Sequence, residues 1–282
     1  MPEKSLDKPA KKACGLWIGT SGYSYAEWVA AGFYPAGTPS GRMLPVYART
    51  FAITELNYTW YQMPKADVVA RMGRRVSERF RFTAKLNRTL THEIDADMWR
   101  ARVNQYRDGV APLLQSKQLM AILLQLGPTF HYTPANRRYL AALLDELVDM
   151  PVAVEFRHVS WAKDSVFKEL ERRRVTLVAV DEPELPGLFP KLDVVTNPEL
   201  FYVRFHGRNT KGWRSGNMQK QFDYNYSDEE LQEWIETYIG KMVERAGSGV
   251  LFFNNHVRAQ ATENAGRLIR RLTERGMQVE TV

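Results

Sequence analysis

Eight short apolar segments recur along this chain, and no other feature restricts its fold so strongly. They lie at 16–19, 52–56, 80–85, 120–125, 152–156, 175–180, 201–205 and 250–253. Several are rich in β-branched or aromatic residues and lack proline, as strands covered on both faces do. Helical stretches are predicted between them at 42–50, 66–78, 98–114, 134–148, 164–173, 228–246 and 262–275. Thr133 before Pro134 reads as an N-cap followed by proline at the first helical position. Ser227 followed by Glu230 reads as a capping box. The connection 181–200 carries Pro183, Pro186, Pro190 and Pro198 and suits no helix. Eight strand-plus-crossover units favour an α/β, TIM-like (β/α)8 barrel with an irregular sixth unit over a doubly wound sheet.

No linker divides the 282 residues, so a single barrel domain is expected over 16–282, preceded by a polar, flexible arm at 1–15. The arm has no apolar run of signal-peptide length, and no segment nears the roughly 18 apolar residues of a membrane helix. A cytoplasmic location with no membrane partner is the expectation. One cysteine, Cys14, excludes a disulfide framework and thiolate-rich metal centres. Lys and Arg total 39 against 32 acidic residues, a surplus of seven, which favours phosphates, nucleic acid or other anions as partners.

In a barrel of this kind chemistry sits where the strands end. Here the strands run into polar groups: Tyr23 after the first, Glu55 and Asn57 at the second, Lys85 at the third, Gln125 at the fourth. Glu155, Arg157 and His158 follow the fifth, Asp181 the sixth, Arg204, His206 and Arg208 the seventh, Asn254 and Asn255 the eighth. Glu55 and Asn57 are two apart, as are Glu155 and Arg157, and Arg204 and His206, so each pair projects from one strand face. Turned inward, they would form a salt-bridge network, a ligand site, or both, because a buried charge is costly unless paired.

The reading this supports is a polar cleft that binds, and on one version hydrolyses, a phosphate-bearing ligand or nucleic acid. Arg157, Arg204 and Arg208 would hold anionic oxygen, Glu55, Glu155 and Asp181 would orient a water or metal, and His158 or His206 would move the proton. Glu155, Asp181, His158 and His206 are acceptable donors for zinc, manganese or magnesium, although no tight metal motif is present. A glycoside hydrolase built on Glu55 and Glu155 is an alternative, weakened because Gln125 and His206 stand where common barrel glycosidases place their carboxylates. A non-catalytic nucleic-acid or protein-binding module is another. Lys85 invites comparison with imine-forming lysines, but pairing with Glu55 or Glu155 would hold its proton, and that salt bridge is the expectation. His92, in the polar loop after the third strand, titrates near neutrality when unperturbed. Residues 207–226 form a long loop in which Arg208, Lys211, Arg214 and Lys220 alternate with Trp213, Phe222, Tyr224 and Tyr226, a mixture suited to phosphates and bases or to a docked lid.

These segments resemble the YecE-like family, a domain of unknown function, over 17–272. The resemblance rests on Gly19-Thr-Ser-Gly-Tyr-Ser-Tyr25 with Trp28, Phe33-Tyr-Pro35, Glu55-Leu-Asn-Tyr-Thr-Trp-Tyr61 with Pro64, and Phe82-Thr-Ala-Lys85 with Thr91-His92. Leu124-Gln-Leu-Gly-Pro128, Glu155-Phe-Arg-His158 with Trp161, Arg204-Phe-His-Gly207, Phe253-Asn-Asn255 and Asn264-Ala265 complete it. It implies a TIM-barrel-like fold and carries no established activity. The family's barrel is similar to that of metal-dependent endonucleases acting on abasic DNA, whose histidine-rich metal cluster is largely absent here; likeness of fold is a weak warrant for function.

Overall fold

The computed structural model describes residues 13–282. Its strands are β1 (Gly15–Ser21), β2 (Ile53–Leu56), β3 (Arg81–Lys85), β4 (Leu119–Gln125), β5 (Val152–Glu155), β6 (Thr176–Asp181), β7 (Phe201–Phe205) and β8 (Ser248–Phe253). They run parallel and close in sequence order into a barrel, with β1 sealing the ring against β8 from Gly15 opposite Ser248 to Thr20 opposite Phe253. Most of the arm expected over 1–15 lies outside the described residues, and Gly15 already belongs to β1.

The apolar runs form strands here because a parallel barrel covers both faces, the inner by side chains across the barrel and the outer by helices. β4 illustrates this: Ala121, Ile122, Leu123 and Leu124 are all fully buried. Parallel neighbours require crossovers. Those are supplied by helices Ser40–Tyr47, Ala66–Gly73, Trp99–Gln115, Pro134–Glu146 and Asp164–Arg173, then Asp228–Trp234 with its continuation, and Gln260–Glu274 closes the chain. Thr133 caps its helix by accepting from the Asn136 amide at 3.2 Å. The Ser227–Glu230 capping box is complete, with amide contacts of 3.2 and 2.8 Å.

The helix expected as continuous over 228–246 contains a π-helical turn, Ile235–Ile239, before ending as Gly240–Val243. The buried positions Leu231, Trp234, Ile235, Ile239 and Met242 keep helix-like spacing through it, so periodicity does not reveal the turn. The sixth connection has no helix. Its chain is pinned to β6 by Thr196, whose hydroxyl accepts from the Leu177 amide at 2.8 Å and donates to the Val175 carbonyl at 2.7 Å. Short helices Glu27–Ala30, Tyr58–Tyr61, Thr210–Trp213 and Met218–Gln221, absent from the sequence reading, lie in the loops after β1, β2 and β7. Among the described residues no helix is long and apolar enough to cross a membrane.

Candidate functional site: a cationic, aromatic cavity at the barrel mouth

Parallel strands put all eight carboxyl ends at one mouth, and there the chain forms an open cavity of about 660 Å³. Its floor is a charged network. Arg204, from β7 and only 1% exposed, donates through Nη1 to Glu155 at 2.6 Å and through Nη2 to Glu55 at 2.7 Å. Glu55 also accepts from the Tyr202 hydroxyl at 2.6 Å, and Tyr202 meets Thr83 at 2.9 Å. Arg157 lies 2.6 Å from Glu155 through Nε and donates to Glu182 at 2.9 Å. His206 sits among Glu155 at 3.2 Å, Arg157 at 3.1 Å and Asn254 at 3.1 Å.

This network fixes protonation. Burial disfavours a charged Glu155, but Arg157 and Arg204 outweigh it and hold the carboxyl well below its ordinary range. Burial, helped by Arg157, pushes His206 down to about 3, so its imidazole is neutral. Burial raises Glu182 to about 7 against the pull of Arg157. Arg204 thus pairs with Glu55 and Glu155, and Arg157 with Glu155 and Glu182, while Lys85 stands outside these pairs.

Lys85 lines the cavity at the end of β3, yet no carboxylate among the described residues lies within ion-pair distance of it. Its Nζ rests 4.9 Å from the centre of the Trp60 ring. Burial, then Arg204, push the amine down to about 7. The salt bridge expected for Lys85 is thus corrected. A bidentate guanidinium bridges two carboxylates better than an ammonium does, and Arg204 has taken both.

The walls are aromatic. Trp60 stands edge-on to His92, ring centres 5.1 Å apart, and Tyr25 stacks on His256 at 4.8 Å. Trp213 and Phe222 come from the loop after β7. That loop is docked: the Tyr226 hydroxyl accepts from the Gly207 amide at 2.8 Å, and Arg208 reaches Asp181 at 3.0 Å and Glu233 at 3.0 Å. Its lysines separate from its aromatics: Lys211 and Lys220 are exposed and outside the lining, while Trp213 and Phe222 line the cavity together with the exposed Arg214.

The sequence-derived candidates accordingly divide. Asn57, Lys85, His92, Gln125, Arg157, His158, Arg204, Trp213 and Asn254 line the cavity; Glu55, Glu155 and His206 are buried in the network beneath it. Asp181 and Arg208 are spent on each other and on the helix starting at Asp228. Asn255 is buried under the loop, donating to the Tyr224 carbonyl at 2.7 Å and to Asn264 at 2.8 Å. Tyr23 turns away to pack beside Tyr47, and Tyr25 takes the place in the cavity wall.

The donor set offered for a divalent metal does not converge. His158 bonds Ser160 at 2.8 Å and stacks on His131, and Asp181 faces Arg208. No group of three His, Cys, Asp or Glu among the described residues is arranged to hold a metal ion. Glu55 and Glu155 share one guanidinium, and neither is among the residues lining the cavity. Sequence reasoning missed Glu182 and Tyr202. Glu182 directly follows β6, and Tyr202 precedes Arg204 by two on the same strand face, so strand-end position and parity would have found them.

Comparison with known proteins agrees with this architecture. A DUF72 family protein of known structure from Thermotoga maritima MSB8 is 32% identical, with a TM-score of 0.83 over 92% of this chain and 99% of that one. A second, from Enterococcus faecalis V583, is 28% identical, with a TM-score of 0.81 over 92% and 95%. UPF0759 protein YunF of Bacillus subtilis (strain 168) is 26% identical over 268 residues, covering 90% of this chain and 93% of its own. UPF0759 protein YecE of Escherichia coli (strain K12) is 26% identical over 193 residues, or 65% of each chain. The family model "Protein of unknown function DUF72" matches residues 17–281, so this TIM-like barrel belongs to the DUF72 family.

Proposed function

We propose that the mouth cavity binds a small phosphate-bearing molecule with a flat ring, such as a nucleotide. The observation that carries this reading is the sign of the lining: Lys85, Arg157, Arg204 and Arg214 face the cavity, and no carboxylate among the described residues does. The carboxylates paired to Arg157 and Arg204 lie behind their guanidiniums, and Lys85 and Arg214 have no carboxylate partner among the described residues, so an entering anion completes the charge. Trp60, Trp213 and Phe222 offer faces for a ring. A volume of about 660 Å³ suits a drug-sized ligand and not a duplex. The inward turn of the loop aromatics favours a small molecule over a nucleic-acid strand.

The test is thermal unfolding with inorganic phosphate, adenosine and adenosine monophosphate. A ligand at 100 times its Kd stabilises the folded state by about 2.7 kcal/mol. The monophosphate is expected to raise Tm most, phosphate less and adenosine least, with the gain reduced in Arg214→Ala and Trp213→Ala. Equal melting curves with all three at millimolar concentration would remove the proposal.

A further inference from the structure

We propose that Lys85 is an imine-forming amine, condensing through Nζ with an aldehyde or ketone carried by the anionic ligand. This deepens the binding reading above by naming the reactive group of the ligand. The geometry that carries it is the placement of Nζ at the cavity floor, over the Trp60 ring, without a carboxylate partner among the described residues. The charged groups acting on it are Arg204 from β7, Glu55 at the end of β2, and Glu155 and Arg157 at the end of β5. Glu55 and Glu155 favour the protonated amine, but both are paired to arginine and neither lies within ion-pair distance of it, so burial and Arg204 outweigh them. The shift of the amine towards neutrality agrees with that arrangement. Lowering a lysine's pKa by desolvation and neighbouring cations is how proteins obtain a nucleophilic amine at neutral pH.

The step balances without any further reagent. The neutral amine attacks the carbonyl carbon, a C–N bond forms, and the nitrogen's proton passes to the carbonyl oxygen to give a carbinolamine. The C–O bond then breaks, the hydroxyl leaves as water with the remaining nitrogen proton, and the nitrogen lone pair forms the C=N bond of the imine. His92 shares the Trp60 ring with Lys85, and burial, then Lys85 itself, push its imidazole down to about 4, so it is neutral. Its Nδ1 contacts the Thr91 hydroxyl at 2.9 Å, and Nε2 is the atom left to carry the proton between nitrogen and oxygen. Arg157 and Arg214 remain to hold the ligand's anionic end.

The experiment uses pyridoxal 5′-phosphate, an anionic ring-bearing aldehyde, trapped with cyanoborohydride and mapped by peptide mass spectrometry. At pH 7 an amine with a pKa of about 7 is half unprotonated. An ordinary lysine is unprotonated to roughly 1 part in 2,500. Labelling at Lys85 is therefore expected to be at least tenfold faster than at any other lysine, to level off above about pH 7, and to vanish in Lys85→Arg and Lys85→Gln. Excess inorganic phosphate should slow it. Labelling spread over surface lysines, or labelling at Lys85 that rises up to about pH 10, overturns the proposal; the wild-type pH profile decides this even if the variants fold poorly. A retained phosphate shift in Tm with Lys85 unlabelled defeats the imine alone. Loss of both defeats the binding reading as well.

Discussion

Replacing Arg204 by methionine tests the physical core of the site. Arg204 is 1% exposed, and its guanidinium bonds both Glu55 and Glu155, whose side chains are fully buried. Methionine fills similar space but leaves two carboxylates sharing a dry volume, with Tyr202 for one and Arg157 for the other. Removing one member of a buried ion pair costs about 3–5 kcal/mol, because the remaining charge stays desolvated. That is a large part of the 5–15 kcal/mol typical of a folded domain. The penalty should depend on pH in a definite direction. In the wild type Arg157 and Arg204 outweigh burial and hold Glu155 well below its unfolded value, so its stabilisation is present above that value and fades as pH falls. Without Arg204, burial pushes the carboxyls up, and their destabilisation grows as pH rises above the unfolded value of about 4.3. The gap between the two proteins is therefore widest near neutrality and narrows in acid. Urea denaturation followed by circular dichroism at about pH 7.5 and pH 5 measures it. Adding Glu55→Gln to the variant should recover part of the loss, as coupling between contacting residues requires. A neutral-pH loss below about 1 kcal/mol, or the same loss at both pH values, would refute the reasoning.

Two further outcomes follow from neighbouring groups. Burial lifts Glu182 to about 7, so its contribution is intact below the unfolded carboxyl value and is lost as pH rises through 7. Glu182→Gln should flatten the decline in Tm between about pH 5 and pH 8, and an unchanged slope would place the decline elsewhere. Gly207 has φ +89°, and a Cβ there would lie 2.6 Å from the Tyr224 Cβ. Gly207→Ala should cost roughly 1–3 kcal/mol and speed proteolytic cutting within 207–226; a wild-type melting curve and cutting rate would argue against that loop being held by this turn.

Much of the barrel was legible in the letters because its causes are local. Apolar runs without proline, the cap at Thr133, the box at Ser227 and Glu230, and the prolines of 181–200 act within a few residues. The π turn at Ile235–Ile239 was not legible, because it shifts the backbone without breaking the apolar face. Strand-end polarity and parity pointed to Glu55, Glu155 and Arg204, since parallel closure gathers all carboxyl ends at one mouth.

Which charge answers which was decided only across the barrel. Glu55 and Arg204 are 149 residues apart in sequence, and nothing near either one says that a single guanidinium takes both carboxylates while Lys85 takes none. The same holds for Asp181, drawn away from the cavity by Arg208, and for the loop after β7, whose aromatics turn inward and lysines outward. The sequence by itself determined the strands, their order and the polar character of their ends, through short-range sterics and burial. Tertiary structure alone decided the pairing, because the strength of an ion pair depends on separation and desolvation, and both exist only once the ring has closed.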